Sequence, residues 1–231
     1  MRNEIVDKIT NSKKRKSFFH FTRVRNLPSI AHLDALYSCH KVDPALSNER
    51  RLVRREIHLD GHVFVANAHL RIADQVMSET ITHQQFHSYL DQHVFFWPTP
   101  RDCQKMLEMY ARREPDEAFA ILQLDAHALL DEFYDDIKLS KYDSGSSPRY
   151  PNRCAYKKSL QMFVTLDQFE IARDHDVPSK PSEIREVLVE GEVTSLSRYL
   201  QFIYCDNREG IPERWREFAQ SIQDFKNLAT L

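Results

Sequence analysis

Three residues set far apart along this chain carry side chains that together could break a glycosidic bond. They are His20 in the aromatic run Phe19-His20-Phe21-Thr22, Arg51 in Glu49-Arg50-Arg51, and Glu186 at the head of Glu186-Val187-Leu188-Val189. Histidine hydrogen-bonds ribose hydroxyls, arginine grips a pyrophosphate as a bidentate fork, and a carboxylate stabilises positive charge developing on a ribose carbon as its base leaves. Gathered in one cleft, the set would hold a dinucleotide at three points. Each member also has a plain structural reading: a satisfied histidine within a strand, a solvated arginine-rich helix, a charge at a strand edge. Spacing alone does not choose between the two.

To meet, these residues need strands and helices that carry them to one place. The pattern predicts a short helix over 4–9 and a strand over Ser17–Thr22, then a helix with Asn26 as N-cap and Pro28 in its first turn. Further strands are expected around Val63-Phe64-Val65, at His93–Trp97 where Pro98 stops the ladder, at 118–124, at Glu186–Val189 and at Phe202–Cys205. Helices are expected over 68–78, 82–91, 101–113, 126–133 and 212–226. Lys141–Arg153 is rich in turn formers and reads as a long surface loop, and Asp174–Ser182, with two prolines, leads into the Glu186 strand.

Composition narrows the function classes. A length of 231 residues with 42% hydrophobic content suits one domain around one sizeable core, with residues 1–16 as a basic, helical N-terminal appendage. No apolar run approaches the roughly 18 residues of a membrane span, and charge follows Met1, so a cytoplasmic protein without membrane contact is expected. Cys39, Cys103, Cys154 and Cys205 are widely separated and read as reduced thiols. The four glycines, Gly61, Gly145, Gly191 and Gly210, do not cluster, which excludes a Rossmann fingerprint and a Walker A loop. Any dinucleotide must be held by side chains. The net charge of -2 hides an asymmetry: residues 1–71 hold 14 Lys/Arg against 7 Asp/Glu, and the rest 18 against 27. Lys13-Lys14-Arg15-Lys16, with Arg23 and Arg25 among aromatic residues, could meet a phosphate backbone or be a solvated linker.

The motifs resemble one family. Phe19-His20-Phe21-Thr22-Arg23-Val24-Arg25-Asn26-Leu27-Pro28-Ser29-Ile30 resembles the opening of the DarT-like ADP-ribosyltransferases, toxins that modify nucleic acid, in which an aromatic-His-x-Thr strand runs into an Asn-Leu-Pro-Ser-Ile helix. Glu49-Arg50-Arg51 resembles that family's Glu-Arg-Arg segment, whose second arginine contacts NAD⁺. Val94-Phe95-Phe96-Trp97-Pro98 with Arg101 resembles its aromatic strand, and Glu186-Val187-Leu188-Val189 the strand that begins with its catalytic glutamate. The chain departs from the family pattern at Arg23 and Arg25, where a second histidine and an acid often stand.

The resemblance implies an α+β, ADP-ribosyltransferase-like fold with a split mixed β-sheet flanked by helices. It implies NAD as co-substrate, held by His20, Thr22, Asn26, Leu27 and Arg51, with Arg51 and Glu186 in catalysis and no metal. It also implies transfer of ADP-ribose to a base of RNA or single-stranded DNA, an antitoxin protein as partner, and a place in anti-phage defence. Glu183 and Glu190 are the other candidates for the carboxylate role.

Tyr142, Arg149, Tyr150, Arg153 and Tyr156 offer stacking faces and phosphate contacts to an acceptor strand, or belong to an ordinary mobile loop. His83 and His87 stand four apart with His93 following, a spacing that can ligate zinc, but no glutamate lies between them and all three can simply sit on a partly exposed face. Other readings are an ADP-ribosyltransferase acting on protein, a catalytically inactive nucleic-acid-binding or regulatory module, and a nuclease that would need a divalent metal instead of NAD.

Overall fold

A computed structural model describes residues 2–59 and 61–230. Met1 and Leu231, the ends of the expected single domain, and Asp60 lie outside the described residues. Helix α1 (Arg2–Thr10) buries Val6 and Ile9, and strand β1 (Ser17–Arg23) buries aromatic side chains on both faces, as a central strand must. After α2 (Leu27–Leu33), β2 (Leu36–Tyr37) and α3 (Cys39–Val42) comes the hairpin of β3 (Arg55–Leu59) and β4 (His62–Ala66), turned by Gly61 at φ 78°. Helix α4 (His83–Asp91) starts in a capping box between Thr82 and Gln85 and leads to β5 (His93–Phe96). Helix α5 (Pro100–Arg113), capped by Thr99, precedes β6 (Phe119–Asp125) and α6 (Ala126–Glu132). The remaining strands are short and joined by turns and irregular chain: β7 (Ile137–Ser140), β8 (Phe163–Thr165), β9 (Glu186–Glu190), β10 (Glu192–Val193), β11 (Leu200–Tyr204) and β12 (Ala219–Gln220), closed by α7 (Ile222–Thr230).

Two four-stranded sheets form the frame, in the orders β1-β6-β11-β12 and β5-β9-β7-β8. Their pairings are antiparallel except β11 with β12, which is parallel, so the sheet system is mixed. The architecture is α+β, a split sheet flanked by helices. Strands β6 and β9 read as continuous apolar runs because both faces are covered: Ala120, Leu122 and Leu124 enter the main core, while Phe119 and Ile121 join Leu107, Tyr110 and Phe225 under α5 and α7.

Several expectations are corrected. Residues 1–16 are not an appendage: Val6 and Ile9 sit in the main core, and α1 packs on α6. Asn26 occupies the N-cap position of α2 without capping it; its amide instead reaches Val65, accepting from the backbone N–H at 2.8 Å and donating to the carbonyl at 3.3 Å. The expected helix at 68–78 is largely irregular chain, and the Arg50–Arg51 segment is coil, not helix. The expected 212–226 helix breaks where Ala219 and Gln220 pair with β11, leaving α7 beyond the break. Strands β3, β7 and β8 were not expected.

Candidate active site

Among the described residues one isolated bridge, from Phe19 of β1 to Trp97 just past β5, links the two sheets. The backbones of Phe19 and Trp97 exchange two hydrogen bonds of 2.9 Å, and the ladder does not continue past this bridge. A cleft of about 250 Å³ opens beside this bridge, lined by His20, Thr22 and Asn26 from the β1–α2 side, by Arg51 and Asn67, by His87, Asp91 and His93, and by Glu186. The three residues singled out by type therefore share one cavity.

His20 stands beside the junction. Its Nδ1 lies 2.9 Å from the Phe95 carbonyl, and because a carbonyl only accepts, the ring proton belongs on Nδ1 and Nε2 keeps a lone pair. Burial pushes its pKa down to about 4, so the ring is neutral near pH 7. A neutral ring with an open Nε2 is suited to accept a hydrogen bond from a hydroxyl.

Glu186 opens β9 opposite Ser140 and is 2% exposed. Its Oε2 accepts from the Ser144 backbone N–H at 3.0 Å and from the Ser144 hydroxyl at 2.6 Å. Below this turn the fully buried Lys158 donates Nζ–H bonds to the Asp143 and Ser144 carbonyls, tying the loop in place. Burial, reinforced by Asp143, pushes the Glu186 carboxyl up to about 8, against the pull of the Ser144 bonds and Lys158. Of the alternative carboxylates, Glu183 accepts from Ser179 outside the cleft and Glu190 is exposed at the far end of β9. Glu186 alone of the three lines the cavity.

Arg51 lines the same cleft but does not offer a free fork. Its guanidinium donates to both Asp91 oxygens at 2.6 Å, to the carbonyls of Asn67 and Leu46 at 3.0 Å, and to Cys39 Sγ at 3.6 Å. These contacts engage all five N–H groups. The Arg51 backbone N–H donates to His69 Nδ1 at 3.0 Å, which leaves His69 Nε2–H to donate to Asp91 at 3.0 Å. Burial alone would raise the Asp91 carboxyl, but His69 and Arg51 outweigh it and hold the group below the usual carboxylate range. In this arrangement the Arg51 guanidinium braces the cleft wall through Asp91, Asn67 and Leu46.

Other expected contacts divide similarly. Thr22 and Asn26 line the cleft, though the Asn26 amide is engaged with Val65; Leu27 is fully buried in the main core and does not line it. The expected acceptor residues lie outside the cavity. Tyr142 and Tyr156 stack on each other, centroids 3.6 Å apart and planes 8° apart, while Tyr150 is exposed with Arg149 over its ring and Arg153 is exposed nearby. Gly145, from the same loop, does reach the cleft.

Arg23 and Arg25, where the sequence departs from the family pattern, are tied internally: Arg23 is buried against Asn67, Glu114 and Glu117, and Arg25 pairs with Glu117. A second groove is lined by Lys13, Lys14, Arg101 and Arg185, with Phe19 and Leu228 on its wall. Arg185 directly precedes Glu186 and also meets Asp102 at 3.4 Å.

Sequence reasoning missed Ser144, Lys158, Asp91 and His69, none of which carries a local motif. It placed His87 and His93 on a partly exposed face, whereas both are buried in the cleft wall. Among the described residues no group of three or more His, Cys, Asp or Glu could hold a metal ion, and no helix is long and apolar enough to cross a membrane.

No curated protein matches the chain. Three solved structures of DarT from Thermus sp. 2.9 are similar: the complex with NAD⁺ at 13% identity, covering 94% of this chain and 91% of that one with a TM-score of 0.39; the complex with carba-NAD⁺ at 13%, 94%, 93% and 0.41; and the complex with ADP-ribosylated single-stranded DNA at 14%, 94%, 90% and 0.39. A family model matches residues 16–200, most of the length, and the chain belongs to that family of unknown function, DUF7002.

Proposed function

We propose that this protein is an NAD-dependent ADP-ribosyltransferase whose acceptor is nucleic acid, RNA or single-stranded DNA. The observation that carries the reading is a deeply buried carboxylate, Glu186, in the same cleft as a histidine whose Nε2 is free to accept. NAD supplies a ribose whose carbon–nicotinamide bond is weakened by the cationic ring. His20 accepts from a ribose hydroxyl, and Glu186 faces the carbon that gains positive charge. As the glycosidic bond breaks, its electron pair passes to the nicotinamide nitrogen; the acceptor atom bonds to the ribose carbon, and its proton goes to Glu186.

This role sets a pH dependence. Glu186 must be ionised both to stabilise the charge and to take the proton, and with its pKa pushed up to about 8 the fraction ionised grows through neutrality. kcat/KM is expected to rise with pH and level off above about 8.

The acceptor class is supported by the groove of Lys13, Lys14, Arg101 and Arg185 beside the start of β9, which suits a phosphodiester backbone. Use as the toxin of a toxin–antitoxin pair in phage defence belongs to the same proposal and rests on the sequence resemblance. The test incubates the protein and Glu186→Gln with labelled NAD and separate pools of RNA, single-stranded DNA and cell protein. Label on a nucleic-acid pool, lost in the variant, is expected. Label only on protein would replace the acceptor, and neither label nor nicotinamide release would end the enzyme reading.

A further inference from the structure

The Ser144 backbone N–H that donates to Glu186 Oε2 at 3.0 Å belongs to the same peptide unit as the Asp143 carbonyl, and that carbonyl accepts from Lys158 Nζ. The unit is trans, so its oxygen and its N–H point in opposite directions, one to the cation and one to the carboxylate. A cation on the oxygen polarises the amide and strengthens donation from its N–H, most of all to an ionised acceptor. The same Nζ donates to the Ser144 carbonyl at 2.8 Å. The residue that holds Glu186 by both N–H and hydroxyl is thus clamped from behind.

Holding a turn does not call for a charge. Lys158 is fully buried, its bonds go to neutral carbonyls, and burying an ammonium is costly unless an opposite charge answers it. The acidic groups that bear on it are Asp143, Glu186 and the Cys154 thiol. Asp143 is exposed and accepts from Ser146 through both oxygens, so solvent screens it, whereas Glu186 is buried on the same turn, where screening is weakest. Lys158 is itself anchored outside that turn: its backbone N–H donates to the Val76 carbonyl at 2.7 Å, and its carbonyl accepts from the Ser78 N–H at 3.0 Å. The 76–78 segment therefore sets where the ammonium stands. Both Ser144 bonds land on Oε2, and Glu186 lines the cleft, which leaves Oε1 as the oxygen for chemistry.

We propose that Lys158 is a positioning residue for Glu186: through the Asp143–Ser144 peptide it aims the Ser144 donors at Oε2, leaves Oε1 to the reacting group and favours the ionised carboxylate. The proposal rests on the transferase reading above and adds the residue that readies its carboxylate.

Glutamate ¹³Cδ titrations of the full chain and of Lys158→Met, with Glu186→Gln to assign the signal, test it without NAD. The Glu186 carboxyl is expected to titrate about one pH unit higher in Lys158→Met than in wild type. An equal or lower midpoint overturns the proposal. Nicotinamide release over the same pH range gives a second readout: in Lys158→Met the rising limb of kcat/KM is expected to move up by the same amount, with about tenfold less activity below the limb and KM for NAD little changed. Equal loss at every pH with the limb in place would make Lys158 merely structural and overturns the proposal.

Should Lys158→Met fail to fold, wild type and Glu186→Gln carry the test. The Lys158 ¹⁵Nζ signal is expected to move as Glu186 titrates in wild type and to stay still over that range in Glu186→Gln; a signal that behaves alike in the two overturns the proposal. Failure of wild type to release nicotinamide would sink the functional reading alone, and the titrations would still decide whether Lys158 governs Glu186.

Discussion

On one wall of the cleft Arg51, Asp91 and His69 satisfy one another, with every guanidinium N–H paired and the His69 tautomer fixed. One turn along α4, His87 stacks on that network yet has no hydrogen bond of its own, and across the cleft Glu186 is a carboxylate held by one serine. The difference separates two uses of buried polarity. A completed network fixes a shape, because removing any member strands the others. A carboxyl forced toward its neutral form instead holds a charge in reserve. Residue type does not distinguish them, since histidine and acid stand on both sides.

The comparison breaks most readily at Arg51. Arg51→Met leaves Asp91 buried without its main partner and is expected to lower unfolding free energy by about 3–5 kcal/mol in urea melts. A stable variant that no longer binds NAD would move Arg51 from scaffold to ligand contact. Glu186→Gln should behave in the opposite way. Transfer is expected to fall about 10²–10³-fold in a labelled-NAD assay. Stability should rise on the alkaline side, because the folded protein keeps Glu186 protonated up to about 8 while the unfolded chain releases that proton near the ordinary carboxylate value. The stability contributed by this group is whole in acid and is lost as pH rises toward 8. Melts of the two proteins should therefore converge in acid and separate, with the glutamine form higher, toward pH 8.

Smaller effects sharpen the picture. Ser144→Ala removes a hydroxyl that favours the ionised carboxylate, so the rising limb of kcat/KM should move up by about one pH unit. An unmoved limb would assign the titration to another group. Arg101→Ala should change least, lowering the salt slope of single-strand binding by about one while leaving acceptor-independent nicotinamide release intact. An unchanged slope would remove the groove from the acceptor path.

Much of the frame was legible in sequence because it rests on continuous apolar runs: β1, β5, β6 and β9 were all expected near their observed limits. The 68–78 stretch misled because its backbone bonds leave the segment, His69 N–H to the Arg51 carbonyl and Ala73 N–H to Ser147 Oγ. Tertiary partners overrode a helical pattern there, as they did at Ala219–Gln220. In the cleft, residue type pointed to His20, Arg51 and Glu186, but the engaged state of Arg51 depends on Asp91, forty positions away, and was invisible. Burial of His87 and His93 was equally hidden, since it is made by neighbours that no local pattern names.

The junction at Phe19 and Trp97 has a consequence for the timing of synthesis. The strands of the two sheets interleave along the chain, so His20 leaves the ribosome early and pairs in a sheet that needs β6 and β11, while Glu186 arrives late in the other sheet. No early fragment contains both cleft walls. A ribosome-bound chain stopped before β9 carries the histidine side of the cleft without its carboxylate, and any activity that depends on both begins only as the last strands are released.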